Sequence, residues 1–404
     1  MTSAPGQPFL PYCRHVIDDD DIAAVAAVLR SDALTCGPAV PRFEADLARA
    51  VDAPHALACS SGTAALHLAA LALDLKAGDS VLVPAQTFAA TANCIRYVGA
   101  EVVFTDVCPD TGLMRPEDVE KAIADHGGRR FRAVFPVHLN GQAADLDGIG
   151  RIAKREGMAI VDDACHAIGT VVEGLGPIGS GRHTAMTVFS FHPAKTIAMG
   201  EGGAVTTAVP ALARRLERLR GHGITRDPAE FLVRSEAFDV NGDPNPWYYE
   251  MQDLGYNYRA SDVHCALGSS QLAKLDGFVK ARAEVVAAYE RLLAPLAAHV
   301  RPVGRRGGQR VAWHLAAVLI DFMGVGKPRA QVMRELRAKG IGTQVNYIPV
   351  PWLPYYRSLT GGHPRPYPGA ESYYRRCLSL PLSAAMTADD AARVVDALTE
   401  VLGL

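Results

Sequence analysis

The chain has 404 residues, 49% of them hydrophobic, enough to bury a large core and to exclude a disordered chain. Lys and Arg number 41 against 43 Asp and Glu, so there is no broad basic face for nucleic acid and no acidic tail, and a small-molecule partner is expected. The cysteines, eight in all, are scattered and never form a C-x-x-C pair, which speaks against zinc clusters and a disulfide framework. A reducing cytoplasm is expected, with no metal site. Met1 to Leu10 lacks a basic segment followed by an apolar run, and no stretch approaches the roughly 20 apolar residues of a membrane helix.

After a short Pro-containing arm, Asp18 to Asp21 precede Ile22, Val25, Val28 and Leu29, which places acids at the start of a helix rather than around a metal. Strand-like apolar runs follow at Val81–Val83, Val102–Phe104, Ala133–Phe135, Ala159–Val161 and Thr187–Phe189. Helical patterns at 88–98, 116–124 and 146–156 separate them, which predicts an α/β fold with a mostly parallel sheet wrapped by helices. Residues 221–256 break this rhythm with three prolines and the aromatic cluster Trp247, Tyr248 and Tyr249, and read as a long loop or lid. Helical patterns near 261–275, 277–298 and 328–338 and a strand at Ala316–Ile320 then suggest a smaller C-terminal α/β domain. The expected division is 1–256 for the arm and large domain and 257–404 for the small one.

Three segments carry chemistry, and each alone has a bland reading. Ser60-Ser61-Gly62-Thr63 stands directly before a helix-forming run, where free amides and the helix dipole suit a phosphate, although Ser and Thr there are more often plain caps. Asp162, Asp163 and His166 end an apolar strand, where an acid can cap the next helix or hold a proton on a pyridinium nitrogen. Lys195 closes Phe189-Ser190-Phe191-His192-Pro193-Ala194-Lys195 and is followed by a Gly-rich stretch, Met199 to Val205, expected to turn. A sheltered lysine in such a loop is available unprotonated for a Schiff base. The order phosphate cradle, acid, lysine decides in favour of a pyridoxal-phosphate (PLP) site.

At these residues the chain resembles, over nearly its whole length, the DegT/DnrJ/EryC1/StrS sugar aminotransferases, PLP enzymes of fold type I. The resemblance implies a large sheet domain and a smaller C-terminal one, as in aspartate aminotransferase. It also assigns roles: Lys195 as the lysine that carries PLP, Asp163 as the pyridinium partner, and Gly62, Thr63 and Ser190 as phosphate ligands. Phe88 matches the aromatic residue on the ring, and His166 the group near the cofactor hydroxyl. Asn257 matches a residue that reaches the cofactor of a neighbouring subunit, which implies a homodimer with shared sites. Catalysis would then rest on Lys195 and Asp163, with pyridoxamine phosphate as intermediate and L-glutamate and 2-oxoglutarate as partners.

Within the family, Pro11–Arg14, Phe191–Lys195, His222–Pro228, Trp247–Glu250 and Tyr347–Val350 are similar to segments of the aminotransferases of pseudaminic acid biosynthesis. That likeness implies a UDP-linked 4-keto-6-deoxy-2-acetamido sugar as substrate. Tyr12, Arg14, Arg226, Tyr249 and Tyr347 are the expected substrate-side residues. Asn346 and Asn140 depart from the pattern, since relatives usually carry His at the first and a small or aromatic residue at the second. Another keto sugar or keto-cyclitol is the main alternative. A PLP-dependent sugar dehydratase is disfavoured by Lys195, because resembling enzymes of that type carry His there. A PLP-binding regulator would need a DNA-reading module that neither terminus supplies.

Overall fold

Short apolar strands alternate with amphipathic helices from residue 55 to 220, and buried apolar faces force them into one layered body. In the computed structural model, which describes residues 8–362 and 366–404, the main sheet has seven strands. The first seven residues of the N-terminal arm lie outside the described residues. The strands are β1 (His55–Cys59), β2 (Ser80–Pro84), β3 (Glu101–Thr105), β4 (Phe131–Val134), β5 (Ala159–Asp163), β6 (Met186–Ser190) and β7 (Gly203–Thr207). Their order across the sheet is β1-β7-β6-β5-β4-β2-β3, with β7 antiparallel to both its neighbours and every pairing from β6 to β3 parallel.

The helices of this body are α1 (Asp19–Leu29), α2 (Ala39–Ala50), α3 (Gly62–Ala72), α4 (Ala89–Tyr97), α5 (Pro116–Asp125), α6 (Leu146–Glu156) and α7 (Pro210–Arg220). The acid run at 18–21 acts as a helix start: Asp18 and Asp21 form a reciprocal capping box, each backbone N–H donating to the other's carboxylate at 3.1 Å. Helix α3 is apolar all round and buried along most of its length, as a helix sandwiched between a sheet and other helices must be.

The Gly-rich stretch after Lys195 differs from expectation. Gly203 is not in a turn but opens β7, and a Cβ there would fall 2.3 Å from the Ser61 carbonyl oxygen and 2.6 Å from the Gly62 nitrogen. The glycine therefore serves a close approach of strand to helix start, which a β-run search misses because Gly weakens the strand signal.

A second, three-stranded antiparallel sheet has strands β8 (Val300–Pro302), β9 (Ala316–Ile320) and β10 (Cys377–Leu380) in the order β8-β9-β10. The longer helices that follow include α8 (Asp262–Leu272), α9 (Leu275–Leu293), α10 (Arg329–Ala338) and α11 (Ala388–Leu402). The chain passes from one core to the other within α9: Leu275 and Val279 pack with Phe43, Phe189 and Phe191, whereas Val285, Val286 and Leu293 pack with Val318, Leu378 and Leu398. Residues 221–256 hold only short elements, among them the antiparallel pair Ile224–Thr225 and Glu250–Met251. Among the described residues no helix is long and apolar enough to cross a membrane.

The contact at Gly203 gives a direct test. Gly203→Ala should lower stability by about 2 kcal/mol through overpacking, read from the urea midpoint. An unchanged midpoint would mean that β7 does not press on α3 as described.

Candidate active site

Parallel strands end on a common edge, and the loops leaving that edge converge on a cavity of about 570 Å³. Its walls include Tyr12, Gly62, Thr63, Phe88, Asp163, His166, Ser190, Lys195 and Tyr347, nine of the residues expected from the sequence. Arg14, Arg226, Tyr249 and Asn257 do not line it. Thr87, Cys165, His314, Gln344 and Asn346 do, and of these only Asn346 drew notice in the sequence as a candidate position.

Asp163 is fixed by backbone and side chain. Its N–H donates to the Pro136 carbonyl (2.9 Å) and its own carbonyl accepts from His138 N (3.0 Å), so the end of β5 is tied to the segment after β4. One carboxylate oxygen accepts from the Thr91 hydroxyl at 2.6 Å and the other from the Cys165 amide at 3.1 Å. The Thr87 and Thr91 hydroxyl oxygens lie 2.8 Å apart. The Thr91 hydroxyl also lies 3.2 Å from the Phe88 carbonyl, so the two hydroxyls and the acid form one connected network at the start of α4. Thr91 sits one helical turn beyond Phe88 on α4, a spacing that could have flagged it.

Lys195 lies in a tight loop held by Lys195 N to the His192 carbonyl (2.8 Å) and Met199 N to the Phe191 carbonyl (2.8 Å), with Phe191, Ile197 and Met199 buried beneath it. Burial lowers the lysine's pKa, while Cys165, Asp163 and Cys13 pull it back up. The net direction favours the free amine that a nucleophilic lysine needs.

The start of α3 closes the opposite side. Ser61 caps it by accepting from Ala64 N at 3.1 Å, and the first amides of a helix have no intrahelical partner. A Cβ at Gly62 would come within 2.7 Å of the Ser190 Cβ, so only glycine lets the two segments meet. Amides, a hydroxyl and a helix dipole converge there, a cradle that fits a phosphate. A buried, hydrogen-bonded acid, a buried amine and this cradle together fit PLP.

Tyr347 enters from the segment before residue 350. Its carbonyl accepts from Gln86 Nε2 (3.0 Å), its hydroxyl lies 3.2 Å from His166 Nε2, and its ring centroid is 5.6 Å from that of Phe88. Burial pushes the Tyr347 hydroxyl's pKa up, partly offset by a bond from Asn346. Tyr12 is likewise raised, to about 12, by burial and by its neighbour Cys13. Phe88 is 57% exposed and faces the open side of the cavity.

The two departures from the family pattern have local explanations. Asn140 is buried at φ 62°, a conformation asparagine tolerates, and donates to the Tyr373 hydroxyl at 3.0 Å. Asn346 lines the cavity with its Oδ1 accepting from Ser379 Oγ at 2.8 Å.

Arg226 stacks over Tyr249, its guanidinium carbon 5.2 Å from the ring centroid, and both are exposed on the 221–256 segment. Asn257 is exposed too, with its flanking backbone fixed by His222 N to the Tyr256 carbonyl and Tyr258 N to the Arg220 carbonyl, both 2.9 Å.

A model of the DegT/DnrJ/EryC1/StrS aminotransferase family matches residues 15–399. The chain belongs to that family. It is 36% identical over 397 residues to the spore coat polysaccharide biosynthesis protein SpsC of Bacillus subtilis, covering 98% of this chain and 97% of the relative. Among solved structures, Helicobacter pylori PseC, an aminotransferase involved in pseudaminic acid biosynthesis, superposes with a TM-score of 0.87 at 24% identity, covering 98% of this chain and 99% of that one. Spr1654 of Streptococcus pneumoniae, solved in its PLP form, gives 0.85 at 25% identity, with 98% and 99% covered; its PMP form matches equally well. As a DegT/DnrJ/EryC1/StrS protein the chain is a PLP-dependent aminotransferase of fold type I that takes a sugar substrate and an amino donor.

The site also sets a pH dependence. His166 and His314 stack with ring centroids 4.3 Å apart, and burial holds both well below the ordinary value of 6.5, with Lys195 adding repulsion. Below that value the unfolded chain binds protons that the folded chain refuses, so stability is complete above about pH 6.5 and falls as the pH drops. Replacing His314 with Asn should reduce the acid slope between pH 6.5 and 5 by about 1 kcal/mol per pH unit, measured by denaturant melts. An unaltered slope would show that His314 titrates normally.

Proposed function

We propose that this aminotransferase moves an amino group from L-glutamate to C4 of a UDP-linked 4-keto-6-deoxy-2-acetamido sugar. The observation that carries the reading is the convergence of Lys195, Asp163 and the Gly62–Ser190 cradle on a cavity whose outer wall is formed by Tyr12 and Tyr347. Those two tyrosines belong to segments similar to ones in aminotransferases of pseudaminic acid biosynthesis.

PLP, when bound, supplies an electron sink for the carbon that loses its proton. Lys195 holds it and, once released, moves a proton between the substrate carbon and C4′ of the cofactor. Asp163, held in place by Thr91 and the Cys165 amide, would keep a proton on the pyridine nitrogen. Phe88 fixes the ring plane, His166 meets the cofactor hydroxyl, and Gly62, Thr63 and Ser190 take the phosphate.

Lys195 is the only Lys or Arg among the described residues lining the cavity, yet the cofactor and a nucleotide sugar bring three phosphates. A second copy of the chain would supply the missing groups: Asn257 to the cofactor phosphate, with Arg226 and Tyr249 from the lid, and Arg14 at the rim, meeting the nucleotide. Exposed Tyr97, Trp247, Met251 and Leu254 give such a homodimer an apolar surface to bury. In this reading residues 1–256 form the cofactor-binding domain and 257–404 the smaller one, with α8 packing back on the larger core, and the protein works in the cytoplasm. Amino transfer to a different keto sugar of polysaccharide assembly is the second reading, favoured by the identity to SpsC.

An absorbance spectrum of the holoenzyme tests the reading. The visible band should shift with L-glutamate and return on adding the UDP-linked keto sugar; a band that ignores both would count against donor and substrate. Lys195→Ala should abolish both the band and turnover, and retained turnover would refute the lysine's role. Asn257→Ala should weaken PLP retention about tenfold in equilibrium dialysis, and an active monomer with full PLP would contradict shared sites.

A further inference from the structure

Arg282, on α9, has no use in the chemistry above and, among the described residues, no Asp or Glu to pair with; the one acidic group that acts on it is the Cys13 thiol. It is 2% exposed, its hydrogen bonds among the described residues run from Nη1 to the His314 and Leu382 carbonyls at 3.3 and 3.5 Å, and its Nε has no partner. Burial lowers its pKa to about 10, which still leaves it charged at neutral pH. A buried cation without a counter-ion is unfavourable unless something anionic comes near.

The residue directly above it faces the cavity. His314 is 3% exposed, lines the cavity wall, and its Nδ1 has no hydrogen-bond partner. The His166 ring beside it also has an unpartnered Nδ1. The groups that act electrostatically on His314 are His166, Lys195, Arg282 and His192, all cationic or neutral. The acids lining the cavity are Asp163 and Glu201; Asp163 is engaged by Thr91 and Cys165, and Glu201 is exposed. This wall therefore presents unpartnered ring nitrogens with the buried charge of Arg282 behind them.

We propose that His314, with the charge of Arg282 behind it, receives the α-carboxylate of the amino donor. The α-carboxylate is attached to the carbon whose amine must meet the cofactor at Lys195, so it has to lie on a wall close to that lysine. The diphosphate of a nucleotide sugar is several bonds from the reacting carbonyl and belongs further out. His314 with its proton on Nδ1 donates to the carboxylate, and Arg282 acts as a positioning residue that holds the His314 backbone and stabilises the anion through the low-dielectric wall. The inference rests on the aminotransferase reading of the cavity.

The test uses holoenzyme and three readouts: the L-glutamate dependence of the absorbance change, and the binding by calorimetry of maleate, a dicarboxylate that cannot transaminate, and of UDP. Arg282→Met and His314→Leu should each weaken maleate and raise the half-saturating glutamate concentration roughly tenfold or more, with UDP affinity unchanged. Arg282→Lys should restore most of the loss, which a purely packing role would not predict. Should Arg282→Met fail to fold, His314→Leu and Arg282→Lys decide the matter. Unchanged maleate affinity in the folded variants, or no maleate binding to the wild type, overturns the proposal. Equal losses for maleate and UDP overturn it too, since the wall would then serve phosphate. Maleate binding that depends on Arg282 in an enzyme inert to glutamate would support the carboxylate site and count against glutamate as the donor.

Discussion

The start of helix α3 lies against the ends of β6 and β7 with no room for a side chain between them. Gly62 would strike Ser190 with a Cβ, and Gly203 would strike the Ser61 carbonyl and the Gly62 nitrogen. This close approach aims the free amides of the helix at the space where Ser190 and, a few residues on, Lys195 emerge. The antiparallel placement of β7, unusual in an otherwise parallel sheet, brings Gly203 beside Ser190 and makes the approach possible.

Two opposite electrostatic tasks are then solved within one cavity. The acid has to stay ionised and the lysine has to lose its proton. Asp163 is held at both carboxyl oxygens, by the Thr91 hydroxyl and the Cys165 amide. Among the described residues Lys195 has no comparable hydrogen-bond partner for its side chain, and burial works against its charge. The same burial keeps His166 and His314 neutral, so the wall near the hydroxyl of Tyr347 offers neutral donors and acceptors. Burial thus drives the lysine and both histidines toward their uncharged forms.

How much of this could be read from the sequence depended on whether a signal was local. Strands β2 to β6 appear as apolar runs, and the capped start of α1 is visible in its aspartates. β1 and β7 are rich in Ala, Gly and Thr, and their strand character comes from pairing with each other and with β6, which no local pattern contains. Lys195, Asp163 and the Ser61–Thr63 segment stand out because each joins a strand to a loop or helix. His314 and Arg282 do not: they lie over 100 and over 80 residues beyond Lys195, in apolar surroundings typical of a core, and only the fold brings His314 to the cavity wall and the Arg282 guanidinium against its carbonyl. Asn257, Arg226 and Tyr249 could be matched by motif, but a single chain leaves them exposed and away from the cavity. Asn140 departs from the family pattern because its backbone sits at positive φ and its amide meets Tyr373, a partner 233 positions away.

An aminotransferase is defined by where the donor's nitrogen goes. The most direct measurement is to incubate the holoenzyme with isotopically labelled L-glutamate and the UDP-linked 4-keto-6-deoxy-2-acetamido sugar, then locate the label by mass spectrometry and NMR. Label in a new amine at C4 of the sugar, with an equal amount of 2-oxoglutarate formed, is the predicted result. No label in that sugar, while the same enzyme aminates a different keto sugar, would contradict the assigned substrate; 2-oxoglutarate formed beyond one equivalent per site with no sugar aminated would contradict the central claim.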